Sequence, residues 1–163
     1  MSENRIEKKF VLGKFKDDFL KKFLLINGFT KHYPDRKISS IYLDTNNYDF
    51  ARDNINGVSE RKKIRFRWYN DDIKRIFFEE KNKKNFLVWK NVKEIKLLDD
   101  EKELIDRLKK FFFSIKLKNK QNFNFKFILK TNYQRSYWIS DDKKFRATID
   151  TEINTSSLEN FLK

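Results

Sequence analysis

The sequence contains no cysteine, one proline, three glycines and one histidine among its 163 residues. The absence of cysteine excludes disulfide bridges, thiolate metal sites and a cysteine nucleophile, and it is compatible with a reducing cytoplasm. The scarcity of glycine and proline argues against long flexible linkers. No apolar segment approaches the roughly 20 residues that span a bilayer, and the N-terminus lacks the apolar core of a signal peptide. These features predict a single soluble, cytoplasmic domain over residues 1–163.

The chain carries a large excess of positive charge. Its 38 Lys and Arg residues against 24 Asp and Glu residues give a formal net charge of +14. A charge of this size predicts attraction to polyanions: nucleic acid, polyphosphate, nucleotides or an acidic membrane surface. Because lysine is abundant throughout the chain, only the positions of the cations can distinguish these partners.

The stretch RKKIRFRWYN (61–70) combines cations with residues typical of a β-strand. A strand sends alternate side chains to opposite faces, which places Ile64, Phe66 and Trp68 on one face. The other face then carries a row of cations, namely Arg61, Lys63, Arg65 and Arg67. Neighbours two apart lie about 6.7 Å from each other, and at an effective dielectric of about 20 they repel by roughly 2.5 kcal/mol per pair. The row therefore predicts either a solvated outer face or a concave site that binds an anion.

Other segments show the same separation of an apolar face from a charged face. The predicted strands are RIEKKFVL (5–12), KISSIYLDT (37–45), IKRIFFEEKNKK (73–84), FLVWKNV (86–92), FNFKFILKTNYQRSYWIS (123–140) and FRATIDTEI (145–153). Helical spacing is found in FKDDFLKKFLLI (15–26) and DDEKELIDRLKKFFF (99–113), and residues 46–57 are predicted to form a short helix or loop. If the apolar faces pack outward against the helices, the charged faces meet inside. The prediction is an α+β fold, an antiparallel β-barrel with a polar lumen and helices outside.

Five stretches of the sequence resemble one protein family. They are RIEKKFVL (5–12), YPDRKISSIYLDTNNYDFARDNING (33–57), RKKIRFRWYN (61–70), FEEKNKK (78–84) and YQRSYWISDDKKFRATID (133–150). They resemble the vacuolar transporter chaperone (VTC) domain, the polyphosphate polymerase branch of the CYTH-like triphosphate tunnel metalloenzymes. The resemblance implies an antiparallel eight-stranded tunnel in which basic side chains hold a triphosphate and acidic ones hold a divalent metal.

The resemblance also implies roles for individual residues. The residues implied to act in catalysis and in phosphate binding are Lys9, Arg65, Arg67, Lys81, Arg135 and Arg146. The further substrate-binding residues are Arg61, Lys63, Lys90 and Tyr133. Arginine binds phosphate oxygens in pairs, while lysine acts as a movable point charge. Glu7 and Glu79 are the implied ligands of Mn²⁺ or Mg²⁺, since both ions prefer hard oxygen donors.

The C-terminal end departs from the family pattern. The family continues with a strand that carries a metal-binding glutamate, and then with a C-terminal helix. Here the sequence after TEI (151–153) reads NTSSLENFLK (154–163). Neither Glu152 in the first stretch nor Glu159 in the second matches that glutamate. The expectation is a tunnel that lacks the last strand and helix. Such a tunnel is either incomplete or closed differently, or its metal rests on Glu7, Glu79 and water.

The resemblance implies a metal-dependent phosphotransferase that moves the γ-phosphate of ATP onto a polyphosphate chain. One alternative is hydrolysis of inorganic triphosphate or of an RNA 5′-triphosphate by the same fold. Another is a polyphosphate-binding module without catalysis. A nucleic-acid partner is disfavoured because the acids Glu7 and Glu79 share the strand face of the cations, where they would repel a phosphate backbone. A membrane-associated protein partner and the oligomeric state are left open.

Overall fold

The computed structural model describes residues 7–13, 17–96, 104–119 and 125–158. Within these ranges the chain forms three helices and six strands. In chain order they are α1 (Asp17–Ile26), β1 (Phe29–Thr45), α2 (Asp49–Ile55), β2 (Glu60–Tyr69), β3 (Arg75–Lys84), β4 (Leu87–Lys96), α3 (Leu104–Asn119), β5 (Phe125–Ser140) and β6 (Arg146–Ser157). No helix in the described part is long and apolar enough to cross a membrane.

The strands form one sheet in the order β4-β3-β2-β1-β5-β6. The pairs β1–β2, β2–β3 and β3–β4 are antiparallel. An antiparallel sheet combined with helices confirms the predicted α+β fold class. Six strands of the eight implied by the resemblance lie within the described residues. Over those residues the sheet order is open, because no pairing joins β4 to β6.

The chain divides into two compact units. The first contains residues 1–34 and 136–149, and the second contains residues 35–135 and 150–163. The hydrophobic core lies in the second unit, where the apolar face of the sheet meets α3. Phe66 is 0% exposed, and its ring lies 5.2 Å from that of Phe78, 6.1 Å from that of Phe111 and 6.0 Å from that of Phe127. Leu108 of α3 is buried in the same cluster, so the predicted packing of the apolar strand face against a helix is confirmed.

Two predicted boundaries near the N-terminus are wrong. The predicted strand at 5–12 is not formed over the part described, since residues 7–13 are exposed and belong to neither helix nor strand; residues 5 and 6 lie outside the described residues. An alternating segment forms a strand only where a neighbouring strand pairs with its backbone N–H and C=O groups. Conversely, β1 begins at Phe29 instead of residue 37. Pro34 lies outside the β1–β2 pairing, which covers Ile38–Leu43, so its missing N–H costs no hydrogen bond to β2.

A buried carboxylate joins β1 to α2. Asp44 is 1% exposed, and its Oδ1 accepts hydrogen bonds from the backbone N–H groups of Thr45 at 2.7 Å and Phe50 at 2.9 Å. Its Oδ2 accepts a third from Ala51 at 2.8 Å. The N–H groups of Phe50 and Ala51 are among those that the first turn of a helix leaves without partners. Asp44 thus fixes α2 against the end of the strand.

Candidate anion-binding site

The register of the central strands collects polar side chains on one face of the sheet. Ser40 of β1 lies opposite Arg67 of β2, and Tyr42 lies opposite Arg65. Arg65 in turn lies opposite Glu79 of β3. Residues directly opposite in an antiparallel pair share a face, so these five side chains lie on one face of the sheet. The alternate positions of β2, such as Phe66, lie in the core on the other face. The alternation predicted for RKKIRFRWYN is therefore confirmed. We call this the β1–β3 polar face.

Glu79 is the carboxylate of this face, and both of its oxygens are paired. Its Oε2 lies 2.7 Å from Nε and 2.6 Å from Nη2 of Arg65. Its Oε1 accepts a hydrogen bond from Nζ of Lys90 at 2.6 Å. Burial alone would raise the pKa of Glu79, but the hydrogen bond from Lys90 and the charges of Arg65 and Arg67 hold that pKa below its ordinary value. Glu79 is therefore an ionised carboxylate shared between two cations.

Arg65 is held by a neutral partner as well. Its Nη1 donates to the Tyr42 hydroxyl at 3.1 Å, while Nε and Nη2 face Glu79. Burial would lower the pKa of Arg65, but its contacts with Tyr42 and Glu79 raise that pKa above its ordinary value. Its guanidinium is fixed in direction from two sides and stays charged.

Arg67 is a buried cation with neutral partners. It is 8% exposed, its Nε donates to Oγ of Ser40 at 3.3 Å, and its Nη2 donates to the Tyr133 hydroxyl at 3.3 Å. Among the described residues no carboxylate lies within ion-pair distance of Arg67. Burying a charge without an opposite charge is costly. Arg67 is therefore the position at which this face most needs an anion.

Tyr133 and Arg135 extend the polar face onto β5. The Arg135 guanidinium lies 5.2 Å from the centre of the Tyr133 ring. It also pairs with both carboxylate oxygens of Asp150 in β6, at 2.6 Å and 2.7 Å. Burial raises the pKa of Tyr133, although the charges of Arg67 and Arg135 oppose the rise. Tyr133 thus remains a neutral phenol that can both accept from Arg67 and donate to a ligand.

Three lysines lie side by side across the next row of the sheet. Lys63 of β2 is opposite Lys81 of β3, and Lys81 is opposite Lys90 of β4. Like charges directly opposite each other destabilise a sheet. All three are exposed, so they form a cationic row that borders the buried part of the site.

The remaining predicted site residues are Arg61, Lys9, Glu7 and Arg146. Arg61 donates through Nη1 to the backbone oxygens of Gly57 at 3.4 Å and Val58 at 2.9 Å, so it holds the turn before β2. Lys9 and Glu7 lie in the irregular segment 7–13, largely exposed, with 3.6 Å between Nζ and Oε1. Arg146 is exposed at the start of β6. These last three residues belong to the first unit, whereas Arg65, Arg67, Lys90 and Tyr133 belong to the second.

Sequence reasoning missed two residues of the site. Ser40 and Tyr42 of β1 are hydrogen-bond acceptors for Arg67 and Arg65, respectively. The signal was present in KISSIYLDT (37–45), because alternation places both on the face opposite the buried Ile41 and Leu43. A hydroxyl carries no charge, so the charge pattern of the sequence does not mark either residue.

Comparison with known proteins decides the family. A family model, that of the VTC domain, matches residues 4–161. The chain belongs to the VTC domain family. The match covers nearly the whole sequence, which confirms the resemblance carried by the five stretches. The comparison with curated proteins finds no significant match.

Solved structures similar to this VTC domain share little sequence with it. One is a candidate adenylate cyclase from Vibrio parahaemolyticus, with a TM-score of 0.50 and 12% identity over 83% of this chain. The aligned part of this chain spans 62% of the length of that protein. Another is a protein from Pyrococcus horikoshii OT3, with a TM-score of 0.46 and 16% identity over 86% of this chain and 67% of that one. At such identities the first likeness supports the fold alone.

The VTC family implies a divalent metal, and the two predicted ligands can be tested against the geometry. Among the described residues no group of three or more His, Asp or Glu side chains could hold a metal ion. Both oxygens of Glu79 are already paired, one with Lys90 and one with Arg65, so a metal ion bound to it would lie beside two cations that repel it. Glu7 is exposed beside Lys9. The contacts of Glu79 do not fit the role of a metal ligand.

Proposed function

We propose that this VTC domain binds the triphosphate group of ATP or a polyphosphate chain on the β1–β3 polar face and transfers the γ-phosphate of ATP to polyphosphate. The observation that carries the proposal is Arg67, a buried guanidinium whose partners are the hydroxyls of Ser40 and Tyr133. A phosphate oxygen would supply a negative charge in direct contact with this guanidinium, which its two hydroxyl partners do not.

The two arginines have hydrogen-bond donors to spare. Of the five N–H donors of a guanidinium, Arg67 uses one at Nε and one at Nη2. Arg65 directs Nε and Nη2 to Glu79 and Nη1 to Tyr42, which leaves two N–H groups. Because residues two apart on a strand are separated by about 6.7 Å, the arginines can hold different phosphates of one chain.

Phosphoryl transfer suits such a face because it requires alignment and charge stabilisation more than covalent chemistry from the protein. Arg65 and Arg67 would grip the phosphate oxygens. Lys90 would offset charge on the transferred group. Neutral Tyr133 would donate a hydrogen bond without adding charge. The exposed lysine row offers a continuation for a longer chain.

Binding is tested by titrating the protein with inorganic triphosphate in a calorimeter. We expect Arg67→Ala to weaken binding about 10- to 100-fold, since hydrogen bonds to charged groups contribute roughly 1.5–3 kcal/mol. The matched control is Arg52→Ala, which removes the same charge from the exposed surface of α2. An equal loss in both variants would show that only the net charge attracts the ligand, and the site would be rejected.

Turnover is tested separately with ATP, Mn²⁺ and a short polyphosphate primer. Growth of a polyphosphate ladder on a gel is the expected result. Phosphate release without ladders would replace the polymerase with a hydrolase of inorganic triphosphate or of an RNA 5′-triphosphate. Binding without turnover of any of these substrates would replace it with a polyphosphate-binding module.

A further inference from the structure

We infer that Glu79 is a positioning residue, which holds Arg65 of the β1–β3 polar face and Lys90 of the neighbouring strand β4 in place instead of binding a metal. The inference rests on the proposed function, because it concerns the same anion-binding face. In this role the Glu79 carboxylate orders the two cations that would bind the phosphates.

The carboxylate connects three strands. Glu79 of β3 lies opposite Arg65 of β2 and opposite Val92 of β4. Lys90 is two residues from Val92, so it is a diagonal neighbour of Glu79, within reach of a long side chain. One carboxylate oxygen faces the guanidinium and the other accepts from the ammonium, both at 2.6 Å at the shortest. The Glu79 side chain is only 5% exposed, so the arrangement is enclosed.

Lys90 needs this restraint more than Arg65 does. Its side chain is 44% exposed, and it lies opposite Lys81, which repels it. Without Glu79 the lysine would turn towards solvent, and the ligand itself would have to order two long side chains on binding. With Glu79 in place, Lys90 still has two N–H donors free for a phosphate, so the anion does not have to displace the carboxylate.

The sign of the effect separates positioning from simple charge. Removing a negative charge near an anion site would by itself strengthen anion binding. Removing the tether would weaken it, as in protein kinases, where an ion pair between a lysine and a glutamate must be in place for the lysine to serve the phosphates. We expect the loss of order to outweigh the gain in charge, because Glu79 sits behind two cations that offset it.

The experiment compares Glu79→Gln and Glu79→Asp with the control Glu80→Gln. Glu80 is the next residue on β3 and faces the other side of the sheet, so its substitution reports the effect of net charge alone. Each protein is titrated with inorganic triphosphate in EDTA and again in Mn²⁺. We expect both Glu79 variants to bind about tenfold more weakly in both buffers, and the control to bind equally or more tightly.

Glu79→Asp keeps the charge but is one carbon shorter, so it cannot reach both cations, and it decides the question if Glu79→Gln fails to fold. Unchanged affinity in Glu79→Asp, or tighter binding in a folded Glu79→Gln, would overturn the inference. So would a loss confined to the Mn²⁺ buffer, which would make Glu79 a metal ligand. If the wild-type protein binds no triphosphate, the proposed function falls as well; the other failures leave it standing.

A double substitution supplies a readout that a purely structural role would not move. Since Glu79 acts through Lys90, Glu79→Gln in a Lys90→Ala background should weaken triphosphate binding much less than it does in the wild type. Equal and additive losses in the two backgrounds would show that Glu79 acts independently of Lys90, and would overturn the inference.

Discussion

Substitution of Asp44 by alanine should destabilise the protein more than any exposed acidic substitution does. The carboxylate accepts three backbone hydrogen bonds at 2.7–2.9 Å and is 1% exposed, so alanine would leave three N–H groups without an acceptor. Loss of a helix cap costs up to about 2 kcal/mol, and each hydrogen bond to a charged group contributes roughly 1.5–3 kcal/mol. Because water can reach part of the freed helix end, we expect a loss of about 3 kcal/mol in the free energy of unfolding.

Urea unfolding followed by tryptophan fluorescence measures this loss. With a slope of about 2 kcal/mol per molar urea, the midpoint should fall by about 1.5 M. Asp44→Asn should lose roughly half as much, since its amide oxygen retains the acceptor for Thr45 and Phe50 but not the one for Ala51. Asp18→Ala on exposed α1 should change stability by less than about 0.5 kcal/mol. Equal midpoints for Asp44→Ala and Asp18→Ala would refute the reasoning that α2 depends on this carboxylate.

Three further perturbations test other parts of the fold. Phe66→Ala removes a ring that is fully buried among three other aromatic rings, and should cost about 4 kcal/mol in urea unfolding; a loss below about 1 kcal/mol would contradict the packing. Glu152→Gly should raise the free energy of unfolding by about 0.5 kcal/mol, because Glu152 has a φ of 52° that only glycine adopts without strain, whereas Glu152→Ala should bring no gain. The pKa of Glu79 lies below its ordinary value, so its ion pairs stabilise the fold above that ordinary value and lose their contribution as the pH falls through the lowered pKa. Between about pH 7 and about pH 3, Glu79→Gln should therefore lose less stability than the wild type; parallel losses would show that the pKa is not lowered.

The central strands could be predicted because each has two chemically different faces. In β2 the apolar positions Ile64, Phe66 and Trp68 are buried in the core, and Arg65 and Arg67 lie on the polar face. A period of two is the signature of such a strand. The face of each side chain then follows from it, because a slip of one residue would bury the cations and expose the core.

The N-terminal region could not be predicted in the same way. The alternating segment 5–12 has no strand neighbour over its described part, whereas the polar residues 29–36 are part of β1. Strand formation in both places depends on backbone partners that are distant in sequence. The local pattern therefore predicts a strand in the first segment, where none is formed over the described part, and misses the strand in the second.

Alternation also assigns a side chain to a face without identifying its partner. Glu79 and the cations were placed on one face by parity, but only the register puts Glu79 between Arg65 and Lys90 and puts Arg67 opposite Ser40. The register thereby decides which cation is neutralised within the protein and which is left for a ligand. The cluster contains three cations and one carboxylate, so its charge is +2 (3 − 1); its members are Arg65, Arg67, Lys90 and Glu79. Of the cations, Arg67 has no ion-pair partner among the described residues. If every cation on this face had a carboxylate partner, the face would attract phosphate only weakly. Without Glu79, the ligand would have to order Arg65 and Lys90 each time it binds.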